Sequence, residues 1–214
     1  MSIRLKIASF WLPDFILKRE LGNVAKNTIA GLDDILKQYV PGKIVISDEI
    51  LKGSRRKLKI FGLTNYKFVS MEERRSIMAK AHNKRVKILI QELGHKKAVE
   101  IGRKVMFEVG CKLGQEARRK LGTGNNFEDL ELAARILYKV LGIKFRIENK
   151  DGNLIMVVNR CDLSKHYSPE SCIILSAADE GVVRGLNENM SMQFKERITE
   201  GAHECIACIN EVKI

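Results

Sequence analysis

Residues 143–160, IKFRIENKDGNLIMVVNR, contain the strongest secondary-structure signal in this chain of 214 residues. On both sides of a Lys-Asp-Gly-Asn turn, β-branched and other apolar side chains alternate with polar ones, which is typical of strands with one buried face. A turn that contains Asp-Gly between two such runs predicts a β-hairpin. We therefore place two antiparallel strands here and interpret the neighbouring segments outward from them.

The segment before the hairpin is predicted to be helical. Apolar residues recur at helical spacing over residues 71–120, and Ser70 with Glu73 forms a capping-box pattern at the start. Gly94 is expected to separate two helices in this segment, and a further helix is predicted over residues 127–141. Three glycines fall close to one face of the second helix and favour close packing against another element: Gly102, Gly110 and Gly114.

The segment after the hairpin completes the predicted fold. The Ser-Pro-Glu sequence at residues 168–170 is typical of a helix start, and the apolar run behind it predicts a helix that ends near Leu186. Residues 191–199 and 204–212 are predicted to be two more strands, joined by a short polar loop. This order of elements indicates an α+β fold, in which an antiparallel four-stranded sheet packs against several helices.

The residues before this domain form a predicted N-terminal extension. We assign residues 1–70 to the extension and residues 71–214 to the α+β domain. Within the extension, NTIAGLDDILKQYV is interpreted as an amphipathic helix that Pro41 ends, and residues 43–51 as a strand. No apolar run approaches the ~18 residues of a membrane-spanning helix, and the first residues lack the features of a signal peptide. We therefore expect a cytoplasmic protein with no membrane partner.

Positive charge is concentrated in the first half of the chain. Of a formal net charge of +12, residues 1–120 contribute 27 basic and 12 acidic residues, and residues 121–214 contribute 11 and 14. The basic segment 51–120 could contact the phosphates of a nucleic acid. Its aromatic residues are few, so a solvated helix face rich in lysine is the stronger interpretation. His82 and His95 lie among these basic residues and are interpreted as surface residues.

The cysteines are distributed in the opposite way. All five follow residue 110, and an odd number in an intracellular chain argues against disulfides and favours a metal site or a reactive thiol. Thiolate ligands suit zinc or an iron–sulfur cluster. Four cysteines are the candidate metal ligands: Cys161, Cys172, Cys205 and Cys208. For each of them the alternative is a small buried apolar residue, since free cysteine is among the most buried residue types.

The predicted secondary structure makes some of these cysteines better candidate metal ligands than others. Cys161 ends a strand of the hairpin, and Cys172 lies in the first turn of the following helix, where backbone N–H groups lower the pKa of a thiol. Cys205 and Cys208 belong to the last strand, where an odd spacing directs their side chains to opposite faces, so Cys208 is the weaker ligand. The fourth ligand would be water or one of three side chains: Cys208, His166 or His203.

The helix that begins near residue 168 carries a polar strip. Cys172, Ser176 and Asp179 are spaced so that they share one face of this helix. Aspartate is disfavoured inside a helix unless it has a partner, so Asp179 is a candidate acid–base group. The alternative places Asp179 on the solvated face beside Glu180.

The block from residue 161 to residue 209 resembles the C-terminal part of the L-2-amino-thiazoline-4-carboxylic acid hydrolase family and is similar to the 4-vinyl reductase domain. The resemblance rests on the cysteine that ends a strand, the helix that carries Cys172 and Asp179, the aromatic Phe194 in the next strand, and the Gly-x-x-x-Cys sequence that ends at Cys205. It extends over roughly residues 80–214.

This resemblance implies an α+β fold shared with TRAPP-like ligand-binding domains. It also implies a pocket between the helices and the sheet for a small hydrophobic or heterocyclic ligand, and a homodimer. Several relatives hold zinc through cysteines near the pocket. The hydrolase branch is associated with opening a cyclic thiazoline.

Three functions are therefore expected. The first is a small-molecule-binding domain with zinc or an iron–sulfur cluster held by the four cysteines. The second is a hydrolase that cleaves C–S or C–N bonds of a small sulfur-containing heterocycle, with Cys172 or a metal-bound water as nucleophile and Asp179 or His203 as base. The third is a regulator that associates with nucleic acid through residues 51–120. The sequence does not decide whether the protein is an enzyme.

Overall fold

The computed structural model describes residues 3–41, 69–150 and 152–212. Within these ranges the chain forms six α-helices and a four-stranded sheet. Their bounds are α1 Ile3–Phe10, α2 Asp14–Tyr39, α3 Met71–Leu93, α4 His95–Leu121, α5 Phe127–Leu141, β1 Ile143–Lys150, β2 Asn153–Cys161, α6 Pro169–Leu186, β3 Met190–Glu196 and β4 Cys205–Glu211. The strand predicted over residues 43–51 lies outside the described residues.

The sheet has the predicted antiparallel topology. Its strand order is β1-β2-β4-β3, so each hairpin contributes two neighbouring strands and β2 pairs with β4 across the centre. Lys150 pairs with Asn153 at the tip of the first hairpin, where Gly152 has a φ of +81°. A positive φ is the conformation that favours glycine in such turns. The predicted α+β fold with four antiparallel strands is therefore confirmed.

Two of the predicted helices begin at a serine whose side chain caps the helix. The Ser70 hydroxyl accepts a hydrogen bond from the backbone N–H of Glu73 at 3.1 Å, which begins α3. The Ser168 hydroxyl accepts one from the N–H of Ser171 at 3.2 Å, which begins α6. Each cap satisfies a backbone donor that has no partner inside the helix. Gly94 separates α3 from α4, as its position in the sequence predicts.

Helices α4 and α6 pack with their backbones in contact. A Cβ atom on Gly110 would lie 2.0 Å from the carbonyl oxygen of Ala178, and one on Gly181 would lie 2.1 Å from that of Phe107. On the same face of α4, a Cβ on Gly114 would lie 2.4 Å from the carbonyl oxygen of Val182. The glycine face predicted on α4 therefore serves close helix packing, and α6 supplies matching glycines.

Helix α2, which lies in the predicted extension, is part of the core. Leu32 is fully buried and packs with Leu89 of α3, Met106 of α4 and Ile174 of α6. Because three helices of the predicted domain contact it, α2 covers the side of α3 and α4 that would otherwise be exposed. The N-terminal residues described here thus pack as one body with the α+β elements.

Two arginines of the basic segment form ion pairs between elements of the fold. The Arg85 side chain is buried and donates to the carboxylate of Asp33 at 2.7 Å, which joins α3 to α2. Arg75 donates to Asp162 at 3.0 Å and to the carbonyl oxygen of Val140. These guanidinium groups are therefore not free to contact phosphates. Residues 51–68 of the basic segment lie outside the described residues. Nucleic-acid binding stays a prediction, as does the homodimer.

None of the described helices is both long enough and apolar enough to cross a bilayer.

A Gly110→Ala substitution should lower the free energy of unfolding by at least about 3 kcal/mol, because its Cβ would collide with backbone that no rotamer change can move. Gly22→Ala is the matched control. Gly22 also lies inside a helix, but nothing lies within 4 Å of its Cβ position. That change should raise stability by up to about 1 kcal/mol. Urea denaturation measures both, and equal stability of the two variants would contradict backbone contact between α4 and α6.

Candidate functional site

Two adjoining chambers lie between the helices and the sheet. The outer chamber has a volume of about 220 Å³ and the inner chamber about 80 Å³. They share a wall built from α2, α5 and α6: Val24, Thr28, Tyr138, Leu141, Ala178 and Asp179. Because these side chains line both spaces, the two chambers are separated by no more than this one layer of residues.

The outer chamber is an apolar space with a charged rim. Leucine, isoleucine, valine and alanine side chains from four helices form most of its wall. At the rim, the Lys120 ammonium group lies 2.7 Å from the Glu116 carboxylate and 3.3 Å from that of Glu20. Since the charges pair with one another at the rim, the interior suits an apolar part of a ligand.

The inner chamber brings together three of the predicted metal ligands. Cys161 at the end of β2, Cys172 in the first turn of α6 and Cys205 at the start of β4 all line it. Cys208 is not among the lining residues. Both Cys205 and Cys208 lie in the regular pairing of β4 with β2, so their side chains point to opposite faces of the sheet.

These cysteines share a wall without forming a ligand set for a metal. A zinc site needs about four ligand atoms that converge on one point. Within the described ranges, no three His, Cys, Asp or Glu side chains come close enough together to hold a metal ion. The described residues therefore give no support to a zinc or iron–sulfur site at these cysteines, and metal binding stays a prediction from the sequence.

Burial keeps the three thiols protonated. It raises the pKa of Cys161 to about 12 and the pKa of Cys172 to about 11, and it also raises the pKa of Cys205. The expectation that the start of α6 lowers the pKa of Cys172 is wrong, because desolvation outweighs the backbone N–H groups there. A protonated thiol is a weak nucleophile, so none of the three is activated in the resting protein.

Asp179 is the carboxyl group that faces both chambers. It lies on the face of α6 that also presents Cys172 and Ser176 to the inner chamber, as the helical spacing predicts. Burial, and after it the charge of Glu180, raises the pKa of Asp179 from 3.8 to about 7. The carboxyl has no hydrogen-bond or ion-pair partner in the described part of the chain. A carboxyl group that titrates near neutral pH inside a cavity is typical of an acid–base catalyst.

Glu180, the neighbour of Asp179, has a different environment. Its carboxylate accepts hydrogen bonds from Arg103 at 2.7 Å and from the backbone N–H of Phe194 at 3.2 Å. Glu180 therefore has its own partners on α4 and β3. The alternative that Asp179 lies with Glu180 on a solvated face is wrong, because Asp179 faces the chambers.

Arg197 is a site residue that the sequence analysis missed. Arg197 is 8% exposed and lines the inner chamber. It donates two hydrogen bonds to the Ser176 hydroxyl, at 3.1 and 3.2 Å, and one to the Glu200 carboxylate at 3.1 Å. A guanidinium group has five N–H donors. Three of them bond to described residues, so two remain for a ligand. The sequence contains no pattern that would predict a buried Arg197. It follows a strand, and arginine at such a position is usually exposed.

His82 is buried, so its interpretation as a surface residue is wrong. Its Nε2 lies 2.8 Å from the Thr28 hydroxyl and its Nδ1 lies 2.8 Å from the Tyr167 hydroxyl. Burial, and after it the charge of Arg85, lowers the pKa of His82 to about 3, so the ring is neutral. The spacing of His82 from Met78 and Val86, both buried on α3, is the signal that could have placed it inside.

The two other candidate histidines do not line either chamber. His203 is exposed in the loop before β4. The imidazole Nε2 of His166 is buried without a hydrogen-bond partner in the described chain, outside the chamber walls. The structure therefore brings Asp179 and three cysteines together, and separates His166, His203 and Cys208 from them.

Comparisons with known proteins agree with this architecture. In solved structures, the fold is similar to trafficking protein particle complex subunit 3 from Naegleria fowleri, a protein described as covalently bound to palmitic acid. The TM-score is 0.52 with 18% sequence identity, over 65% of this chain and 95% of that chain. This likeness shows a shared fold, and it confirms the TRAPP-like fold implied by the resemblance.

The sequence comparisons assign the family. No curated protein matches the chain. The model of the L-2-amino-thiazoline-4-carboxylic acid hydrolase family matches residues 74–209, which span α3 to β4 and include every cysteine and Asp179. Since this match covers more than half of the chain, the protein belongs to the L-2-amino-thiazoline-4-carboxylic acid hydrolase family.

Proposed function

We propose that the protein hydrolyses a small sulfur-containing heterocycle in the inner chamber, with Asp179 as the acid–base group. The observation that carries this proposal is the position of Asp179. Its carboxyl faces both chambers, has no partner in the described chain, and has a pKa near 7 because it is buried. Membership of the hydrolase family supports the same class of reaction.

Asp179 acts on water or on the substrate rather than on a cysteine. Cys172 and Asp179 are seven residues apart on α6, which corresponds to about 10 Å along the helix axis. Direct proton transfer needs a separation of about 3 Å. Cys172 and Asp179 therefore do not form a nucleophile–base pair, and the thiol pKa of about 11 argues against an activated Cys172 as well.

The reaction follows from the two protonation states of Asp179. As carboxylate, it takes a proton from a water molecule while the water oxygen bonds to the ring carbon between nitrogen and sulfur and the electron pair of the C=N double bond moves onto the ring nitrogen. As carboxylic acid, it returns that proton to the departing sulfur or exocyclic nitrogen while the C–S or C–N bond breaks, and the proton of the added hydroxyl passes to the ring nitrogen as the C=O bond forms. One water is consumed, and Asp179 ends in its starting state. A pKa near 7 populates both states at neutral pH, which suits this cycle.

Arg197 supplies the charge that orients such a substrate. Arg197 lines a chamber in which the thiols are neutral, so its guanidinium group favours an anionic substituent on the ligand. A carboxylate on the heterocycle would bind there and place the ring against the Asp179 side of the chamber. Arg197 thus provides binding and orientation, and Asp179 provides proton transfer.

A second candidate function is the binding of a hydrophobic molecule without chemistry. The outer chamber favours it, because a volume of about 220 Å³ with apolar walls exceeds what a small heterocycle in the inner chamber needs. The similar trafficking subunit, described as bound to palmitic acid, has a hydrophobic ligand of this type. Native mass spectrometry of the purified protein, in which a retained lipid-like mass would support binding, separates this function from hydrolysis.

Replacement of Asp179 by asparagine should lower kcat/KM for L-2-amino-thiazoline-4-carboxylic acid by at least about 100-fold, because Asn cannot exchange a proton. In the unmodified protein, kcat/KM should rise with pH through a pKa near 7 as the carboxylate forms. Asp34→Asn is the matched control, since Asp34 is an exposed residue on α2. Full activity of the Asp179→Asn protein would rule out the proposed role.

Cysteine variants test the assignment of the nucleophile. Cys172→Ser should retain most of the activity, within about tenfold, because Asp179 and water perform the chemistry. Cys208→Ser, on the opposite face of the sheet, is the control for the loss of a thiol outside the chamber. A loss of more than ~1000-fold in the Cys172→Ser variant alone, measured by steady-state kinetics, would assign the nucleophile to Cys172 instead.

The Asp179→Asn variant should also change how stability depends on pH. The pKa of Asp179 is higher in the folded chain than in the unfolded chain, so the folded protein loses stability as pH rises from about 4 to about 7. Asparagine removes this loss. The variant should therefore equal the unmodified protein at pH 4 and exceed it by roughly 2–4 kcal/mol above pH 7. Thermal unfolding from pH 4 to pH 8 measures the stability of both proteins. A stability difference that does not change with pH would contradict a raised pKa of Asp179 in the folded chain.

A further inference from the structure

The inner chamber contains a chain of hydrogen bonds whose direction can be assigned. It runs through three side chains that all line this chamber: Tyr167 before α6, His82 on α3 and Thr28 on α2. The Thr28 hydroxyl oxygen lies 2.8 Å from the carbonyl oxygen of Val24 and 2.8 Å from Nε2 of His82. The His82 Nδ1 lies 2.8 Å from the Tyr167 hydroxyl.

The contact with Val24 fixes the direction. Two oxygen atoms 2.8 Å apart need a hydrogen between them, and a carbonyl oxygen has none to give. The Thr28 hydroxyl therefore donates to Val24 and accepts from His82, which places the imidazole proton on Nε2. Because the ring is neutral, Nδ1 has no proton and accepts from the Tyr167 hydroxyl.

Tyr167 is thereby left as an acceptor. Its single hydroxyl proton is used by His82, so its oxygen can offer only lone pairs to a molecule in the chamber. Arg197, which also lines the chamber, offers only donors. The chamber therefore contains groups of opposite hydrogen-bonding character, and Asp179, when ionised, is a further acceptor.

We infer that Tyr167 is a specificity-determining residue that accepts a hydrogen bond from an N–H group of the ligand, and that His82 and Thr28 are positioning residues that hold it in this role. The inference rests on the proposed function and narrows its substrate class to heterocycles with an N–H donor, such as a ring amidine. A ligand with an acceptor at the same position would place lone pairs against lone pairs and bind more weakly.

The test compares two ligands that differ at this position. One is 2-amino-thiazoline-4-carboxylate, with an N–H donor, and the other is 2-methoxy-thiazoline-4-carboxylate, with an oxygen acceptor. Binding is measured by calorimetry on the full chain carrying Asp179→Asn, so that neither compound is hydrolysed. The amino compound should bind at least about tenfold more tightly, and the ratio of the two affinities is the readout across variants.

Variants of the chain change the ratio in different directions. Tyr167→Phe removes the acceptor and should bring the ratio close to one. Thr28→Val removes the group that holds the proton on Nε2, so His82 can donate from Nδ1 and Tyr167 can donate to the ligand, which should favour the methoxy compound. Thr28→Ser keeps the hydroxyl and is the matched control, with an unchanged ratio. A purely structural role of Thr28 would weaken both ligands equally.

The proton position has a readout that needs no ligand. Nitrogen-15 NMR distinguishes Nε2–H from Nδ1–H imidazole, and the signals of His82 can be identified among the four histidines by comparison with a His82→Gln variant. Nε2–H supports the inference and Nδ1–H overturns it. Binding of neither compound would overturn the proposed function, whereas binding of both with a ratio unaffected by Tyr167→Phe would overturn this inference alone.

Discussion

The backbone contact between α4 and α6 is the constraint on which the rest of the structure depends. Four glycines remove the side chains that would hold the two helices apart, and each faces a carbonyl oxygen of the partner helix: Gly110, Gly114, Gly181 and Gly185. One face of α6 is therefore used entirely by α4. The face that carries Cys172, Ser176 and Asp179 is left to border the chambers between α2, α5 and the sheet.

The elements of the fold were largely predictable because their signals are local. A hairpin is specified by alternating side chains around a turn, and α6 by a serine cap that bonds to the N–H of Ser171 three residues later. The shared face of Cys172 and Asp179 followed from helical spacing for the same reason. Such patterns need only a few neighbouring residues, all visible in the sequence.

The environment of each site residue was less predictable because it depends on distant partners. The burial of His82 requires Thr28 on α2 and Tyr167 before α6, which are 54 and 85 residues away. Arg197 enters the chamber because Ser176, 21 residues earlier, accepts its hydrogen bonds. The pKa of the Cys172 thiol depends on competition between desolvation and the helix N-terminus, and only packing decides which is larger.

Helix α2 gives the site a wall that lies outside the segment shared with the family. The family match begins at residue 74, yet Val24 and Thr28 of α2 border both chambers. Asp179 thus lies inside the matched segment, whereas part of the wall that it faces lies outside that segment. Substitutions on the cavity-facing side of α2 can therefore reshape both chambers without altering any residue of the matched segment.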